Sequence, residues 1–373
     1  MTTFTQKLKL LRGLLNGEQA YGGPFFVDID LTERCNMHCL GCPYHFAPRR
    51  PNQHARDFSL SAFRALCDEL KVMGTSSLFL QGPGEPLLHP GLDEMIRLAK
   101  VSGFQVVLAT NGTLLDRERI RDFISARLDV LRVSLWGTTL EEYKNNYPGV
   151  DAANLQRVIE NLRLTAHLKK ELGSTTPQLL LHQPVNQLNY RGLDRLVELA
   201  SATGCDGVSF TPMHHHPGAS ASFVLKTEEA REIHGHLRQL RTKVRACSLT
   251  DNLKETSLRF DLGISATARQ SCYSGWLHTH LRVDGTVHPC GHYQVSLGNV
   301  CESSFSEIWT SLAYRSFRRR SRSNTKSLSL DERSECSYCC LAAQNARVHK
   351  VFRWFLPLVR TAQCLPLPAR GTN

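Results

Sequence analysis

The sequence predicts an α/β fold: a partial (β/α)6 TIM-like barrel followed by a small C-terminal cysteine-rich α+β domain. Three observations predict it. Between residues 25 and 212, short apolar runs alternate six times with amphipathic helical stretches, the pattern of a parallel sheet with right-handed crossovers. The polar and glycine-rich motifs there follow the apolar runs directly, which places them on the carboxyl rim where barrels carry their sites. After about residue 215 the alternation stops, and from Cys272 the chain becomes cysteine-spaced and turn-rich.

Taken in order, Phe4, Leu8, Leu11 and Leu15 recur at helical spacing, with Lys7, Lys9 and Arg12 on other faces. Residues 25–31 read as the first strand and 60–72 as the first barrel helix. Strands follow at 77–80, 105–110, 130–135, 178–185 and 207–211. Helices lie between them at 92–101, 117–126, 155–172 and 193–202. Residues 226–245 form a highly charged helix. Leu281 and Val283 lead into an Asp284-Gly285 hairpin turn. The expected divisions are a basic amphipathic helix (1–24), the barrel (25–215), a helical connection (216–265), the cysteine-rich domain (266–345) and a basic amphipathic tail (346–373).

The 373 residues, 41% hydrophobic and 21% charged, are those of a globular chain with room for a barrel and a second small domain. No secretory leader is evident at the N-terminus, and no apolar run reaches the length of a membrane span. The thirteen cysteines therefore read as reduced thiols and metal ligands in a cytoplasmic protein. The net charge of +11 admits nucleic acid, an anionic membrane or an anionic substrate without choosing among them.

Cys35, Cys39 and Cys42 follow the first strand with three and then two residues between them. Three thiolates at this spacing can hold a four-iron cluster that normally takes four, leaving one iron open for chemistry. A zinc knuckle completed by His38 or His45 is the alternative, but it leaves the rim motifs unexplained. Those motifs are Gly82-Pro83-Gly84-Glu85-Pro86 after the second strand, Thr110-Asn111-Gly112 after the third, and Ser134 at the end of the fourth.

Together these residues resemble the radical S-adenosylmethionine (radical SAM) enzymes, over roughly residues 25–212. Gly82 to Pro86 is similar to that family's Gly-Gly-Glu-Pro motif, with Pro83 at its second position. The resemblance implies reductive cleavage of SAM to a 5′-deoxyadenosyl radical that abstracts hydrogen from substrate. It implies cofactor contacts from Gly82, Gly84, Glu85, Asn111 and Ser134, and a reducing electron donor such as flavodoxin or ferredoxin. The family often has an aromatic residue before the third cysteine. Here that residue is Gly41, and Tyr44 is the candidate to replace the aromatic contact.

Cys272 and Cys290 are separated by seventeen residues, and forty-five more precede the Cys336-x2-Cys339 pair. Four thiolates close a cluster completely; structural zinc needs the same count. The arrangement resembles the Twitch domain, the shortened SPASM domain, which implies one auxiliary 4Fe–4S cluster. Cys340 is the alternative ligand to Cys339.

The remaining candidates have bland readings beside functional ones. Cys205 and Cys247 read as hydrogen donors or as small buried hydrophobes, while Cys67 and Cys301 read as packed thiols. His214, in the His214–His216 run, and Trp136 are expected near the rim as substrate contacts. Val348, Val351, Phe352, Phe355 and Leu356, flanked by Arg347, Lys350 and Arg353, form a stretch able to lie on an anionic membrane.

The expected function is oxidation or epimerisation of a sugar, aminocyclitol or similar small or carrier-linked molecule, as in Twitch aminocyclitol dehydrogenases. Peptide maturation is the alternative within the family. A basic nucleic-acid-binding module, built on the five arginines of residues 315–322, is the rival of another class. No nucleic-acid motif accompanies it, so no nucleic-acid partner is expected.

Overall fold

The computed structural model describes residues 4–42, 44, 54–213, 223–261, 271–323 and 339–352. Its strands are β1 (Phe26–Asp30), β2 (Ser77–Gln81), β3 (Gln105–Thr110), β4 (Val130–Ser134), β5 (Gln178–Val185), β6 (Gly207–Pro212), β7 (His278–Leu281) and β8 (Val287–His288). They form one sheet in the order β6-β5-β4-β3-β2-β1-β7-β8. Neighbours pair in parallel from β6 through β7, and only β7 and β8 pair antiparallel.

The helices of the barrel are α1 (Phe4–Asn16), α2 (Leu60–Met73), α3 (Leu92–Val101), α4 (Arg117–Ser125), α5 (Leu140–Asn146), α6 (Ala152–Glu171), α7 (Leu193–Thr203), α8 (Thr227–Ala246) and α9 (Leu253–Asp261). The C-terminal part adds α10 (Ser274–Leu277), α11 (Phe305–Thr310), α12 (Leu312–Ser323) and α13 (Ala342–Phe352). The expected barrel elements agree with these within about three residues.

Helix α2 shows how local sequence sets such an element. Ser59 caps its N-terminus by accepting from the Ala62 N–H, and Gly74 ends it in the left-handed region at φ 85°. Phe63, Leu66, Cys67 and Leu70, on one face of the helix, are its buried residues.

The strands alternate by parity. Val27, Ile29, Leu78, Leu80, Leu108, Leu131, Val133, Leu179 and Leu181 are fully buried towards the helices. Their neighbours Asp28, Phe79, Gln81, Ala109, Arg132, Ser134 and Thr211 all keep some solvent-accessible surface. The inner face therefore carries many polar, partly accessible side chains, whereas the outer face is a packed core.

Two features differ from the sequence expectation. The sheet has a seventh parallel strand, because β7 of the cysteine-rich part pairs with β1 in the register Phe26↔His278 to Ile29↔Leu281. The C-terminal part thus extends the barrel wall. Further ties hold it: Glu69 of α2 accepts from the Phe305 and Ser306 N–H groups that open α11, at 3.0 and 2.8 Å. Trp309 Nε1 donates to the Gly22 carbonyl at 2.9 Å.

The arginine run is the second difference. It forms α12, and Arg318 and Arg322 turn inward while Arg319 stays exposed. Arg318 is fully buried, lying over the rings of Trp309 and Tyr314. It donates to the carbonyls of Gly275 (2.6 Å) and Trp309 (2.8 Å). Arg322 donates to the Leu14 carbonyl at the end of α1 at 2.7 Å, and Arg315 and Arg319 pair with Glu18. These arginines join α12 to the N-terminal segment, which corrects the phosphate-contact reading.

Part of each amphipathic end is likewise taken up by packing. Leu14 of α1, Phe352 of α13, Phe25, Tyr273, Trp276 and Leu277 form a second buried cluster, with Leu10, Leu11, Leu15 and Val348 against it. These residues of the two faces pack on each other, while Phe4, Leu8 and Val351 remain exposed. Arg353, Phe355 and Leu356 lie outside the described residues. Among those described, no helix is long and apolar enough to cross a membrane.

Candidate active site

The thiols of Cys35, Cys39 and Cys42 are half-buried on the loop that leaves β1 at the carboxyl rim. Its entry is clamped on one side by Asp57, which accepts from Thr32 Oγ1 and pairs with Arg34, both at 2.6 Å. On the other side lies the loop after β2. Gly84 N–H donates to the Thr32 carbonyl at 2.9 Å and Glu85 N–H to the Arg34 carbonyl at 2.6 Å. A Cβ on Gly84 would stand 2.0 Å from the Arg34 oxygen. Glycine is therefore required by close approach of two backbones.

Glu85 links this loop to the end of β3. Its buried carboxylate accepts from Thr110 Oγ1 (2.6 Å), the Asn111 N–H (2.7 Å) and the Leu87 N–H (3.0 Å). Burial pushes its pKa up, against these hydrogen bonds. Asn111 then reaches the cysteine loop, donating to Asn36 Oδ1 at 2.8 Å, while Asn36 Nδ2 donates to Thr113 Oγ1 at 2.8 Å. Three rim loops are thus stitched into one bed around the thiols.

A fourth loop closes the bed. The Leu40 N–H donates to the Asn146 carbonyl at 3.0 Å. Asn146, Asn186 and Asn189, all buried, hold the chain after β4. Asn146 and Asn189 donate to the Trp136 carbonyl at 3.1 and 2.9 Å, and Asn186 donates to Asn146 Oδ1 at 2.9 Å. Trp136 thereby lies over Gly41: a Cβ there would meet the Met213 side chain at 2.6 Å and Trp136 at 3.1 Å. The space beside the third cysteine is filled by these two side chains from other strands. Tyr44 is partly exposed, at 46%.

Ser134 ends β4 beside His182 of β5. Burial pushes His182 well below its usual pKa, and Arg132 adds to that; His182 Nδ1 pairs with Ser209 Oγ at 2.8 Å. Across the lumen, His278 and His280 of β7 face Asp28 and Asp30 of β1 at 3.1 and 3.0 Å. Burial alone would raise Asp28, but His278, His280 and Arg132 outweigh it and hold its carboxyl below the usual range. Burial would likewise lower His280, but Asp30 and Asp28 hold it up.

In the C-terminal part, Cys272, Cys290, Cys339 and Cys340 are half-buried. Asn345 bridges two of them, donating to Cys339 Sγ at 4.0 Å and hydrogen-bonding Cys272. Cys336 lies outside the described residues. Among the described residues, no three His, Cys, Asp or Glu side chains gather tightly enough for a single ion. A four-iron cube makes no such demand, since each thiolate meets a different iron. The donor chemistry of both cysteine sets, soft thiolates on half-open loops, fits iron–sulfur clusters.

Two expectations are corrected by position. Cys205 precedes β6 by two residues, and Cys247 caps the C-terminus of α8, three residues before Thr250, which bridges to Gly207. Both stand at the amino end of β6, opposite the rim, so neither is placed to return hydrogen to a substrate there. Cys205 is buried against Thr203 Oγ1 at 3.4 Å, and burial pushes its thiol up to about 12. Cys67 is buried in the core, as expected, but Cys301 is exposed. His214, with His215 and His216, lies outside the described residues. Sequence reasoning missed the asparagine brace, the Asp–His pairs and Arg132. For Arg132 the signal was present: a charged residue shares strand parity with Ser134 inside an apolar run.

A rim-loop thiol triad on a mostly parallel partial barrel, with a cysteine-rich extension, defines a class of iron–sulfur enzyme. Comparison with known proteins agrees. Residues 29–176 match the radical SAM superfamily, and residues 272–340 match the SPASM iron–sulfur cluster-binding domain. The chain belongs to the radical SAM enzymes and carries a C-terminal SPASM-type auxiliary domain. It is similar to the AdoMet-dependent heme synthase of Methanosarcina barkeri, 26% identical over 302 residues, covering 77% of this chain and 82% of that protein. It is similarly related to the PqqA peptide cyclase of Ruegeria pomeroyi, 26% identical over 309 residues, covering 78% and 75%. Among solved structures, the fold matches Streptococcus suis SuiB bound to precursor peptide SuiA, with TM-score 0.66, 14% identity, and coverage of 84% and 71%. It also matches anSMEcpe with bound AdoMet, with TM-score 0.61, 16% identity, and coverage of 92% and 100%.

Proposed function

We propose that this enzyme removes a hydrogen atom from a carbon of a small polar molecule, such as a sugar or aminocyclitol, free or carrier-linked, and oxidises it by two electrons. The observation that carries this reading is the polar inner face of the barrel beneath the thiol loop. Asp28, Arg132, Ser134, Ser209, Thr211 and His280 share its inner face. Such a lining suits a hydroxylated ligand better than an apolar one.

Cys35, Cys39 and Cys42 would hold the open-site cluster; Cys272, Cys290, Cys336 and Cys339 would hold the closed one. When bound, the first with SAM supplies a 5′-deoxyadenosyl radical, and the second supplies an electron acceptor. The chain's own residues orient and shield. Gly84, Glu85 and Asn111 shape the bed for the methionine end, Ser134 presents a hydroxyl beside it, and Trp136 with Met213 walls off water next to Gly41. Gly82, packed against the Thr32 carbonyl, and Tyr44 complete the proposed cofactor contacts. In the oxidation the substrate carbon loses one hydrogen atom, a hydroxyl proton and one electron, leaving a carbonyl.

Peptide maturation is the second reading, favoured by the similarity to a peptide cyclase over 78% of this chain. Anaerobic reconstitution, followed by reduction in the presence of SAM, tests the radical step: 5′-deoxyadenosine must form. Deuterium-labelled sugars and aminocyclitols then separate the outcomes. Oxidation moves deuterium into 5′-deoxyadenosine and leaves a carbonyl; epimerisation brings solvent hydrogen into the product. Deuterium transfer from a peptide alone would overturn the small-molecule reading.

A further inference from the structure

Among the described residues, Arg132 on the barrel's inner face has no ion-pair partner. Arg132 sits in the middle of β4, two residues before Ser134, on the same inner face. At the usual rise per residue this places it ~7 Å below the rim. Its guanidinium lies over the Phe79 ring, 4.4 Å from the centroid, so that face is covered and held in one plane. Its Nε is buried without a hydrogen-bond partner, and no carboxylate lies within ion-pair distance of it, among the described residues.

The carboxylates of the lumen are already engaged. Asp28 takes His278 and Asp30 takes His280. The β4 wall therefore carries a positive charge with no ion-pair partner, which Asp28 opposes from beyond ion-pair distance. Burying such a charge is costly unless an anion joins it. Burial also draws Arg132 down to about 10, with Asp28 opposing. Ser134 lies above, His182 and Ser209 stand beside it on β5 and β6, and the nearest charges are Asp28 and, next to His182, Arg259 of α9.

We propose that the substrate carries a carboxylate and that Arg132 anchors it beneath the cofactor. A planar guanidinium stacked on a ring matches a planar carboxylate in two parallel hydrogen bonds. The inference rests on the reading of the lumen as the substrate site. It selects uronic acids, amino acids and acidic peptide termini over neutral sugars.

The test is binding to the reconstituted, SAM-loaded holoenzyme, read by thermal shift and requiring no turnover. The probes are acetate, lactate, succinate, benzoate, glucuronate and a free-acid tripeptide, each beside its neutral amide. At least one acid is expected to raise the melting temperature where its amide does not. Arg132→Gln should weaken that acid by about tenfold to a hundredfold, the worth of a charge-assisted pair. Its SAM affinity, measured by equilibrium dialysis, should be unchanged. Should Arg132→Gln fail to fold, Arg132→Lys decides: the charge remains, the planar fork is lost, and acid binding should still weaken.

The proposal is overturned if no acid binds, if amides bind as well as acids, or if the variants bind acids like the parent. It is also overturned if SAM affinity falls with Arg132, which would assign the guanidinium to the methionine carboxylate. A protein that binds acids yet forms no 5′-deoxyadenosine sinks the radical reading alone. One that forms it but binds no acid sinks only this inference.

Discussion

Replacing Gly84 by alanine tests whether the bed around the first thiol set depends on backbone contact. The new Cβ would lie 2.0 Å from the Arg34 oxygen and 2.7 Å from the Thr32 oxygen, where real Cβ atoms essentially never come closer than 3.0 Å. Both obstacles are backbone, so no side chain can swing aside. The two loops must part by about 1 Å or more, which stretches the Gly84–Thr32 and Glu85–Arg34 hydrogen bonds, now 2.9 and 2.6 Å, beyond hydrogen-bonding range. Two lost bonds with poorly hydrated partners cost roughly 3–5 kcal/mol, a large part of a domain's ~5–15 kcal/mol. The melting temperature should fall on the order of 10 °C. The Cys35 end of the loop moves with Arg34, so iron bound per chain after reconstitution should fall as well. Gly235→Ala is the control: nothing lies within 4 Å of its Cβ and it sits inside α8, so stability should rise by about 0.5–1 kcal/mol. Full iron content and an unchanged melting temperature in the Gly84→Ala protein would refute the close-approach argument.

Arg318→Lys should cost about 2–4 kcal/mol in urea unfolding, because a lysine cannot serve the Gly275 and Trp309 carbonyls together from a buried position. Gly41→Phe should cost roughly 1–3 kcal/mol by overpacking against Met213 and Trp136. Pairing it with Met213→Ala should recover most of that, and a double variant no better than the single would show the space is not shared. Burial, helped by Arg282 and His280, holds His288 down to about 4. The unfolded chain binds a proton at ~6.5 that the native state refuses, so stability should fall as pH drops from ~6.5 towards ~4. His288→Gln should remove about 2 kcal/mol of the difference between urea midpoints near pH 7 and pH 5; an unchanged slope would refute it.

Much of this architecture is legible along the chain because period-2 and period-3.6 patterns alternate cleanly up to Pro212. The rim motifs could be placed because each follows its strand immediately. β7 was harder to read. Its four residues, His278-Thr279-His280-Leu281, look like no strand core, since two imidazoles take Asp28 and Asp30 as partners only after β1 is alongside. The arginine run misled for a related reason. Charge suggests exposure, yet Arg318 and Arg322 satisfy carbonyls left by α10, α11 and α1, partners distant in sequence. The asparagine brace was invisible because Asn146, Asn186 and Asn189 read as ordinary loop residues until folding brings them together at Trp136.

The pairing of β7 with β1 has a consequence for how this protein can change. The strand that carries the second cysteine set into place also lengthens the barrel wall beyond β1. A descendant could discard that cluster by mutating its thiols one at a time, but it could not simply cut the segment away. Deletion from His278 onward would strip Asp28 and Asp30 of their imidazoles and bare the backbone of β1, an invitation to aggregate. The two redox compartments are welded through one strand, and their spacing is inherited with the wall.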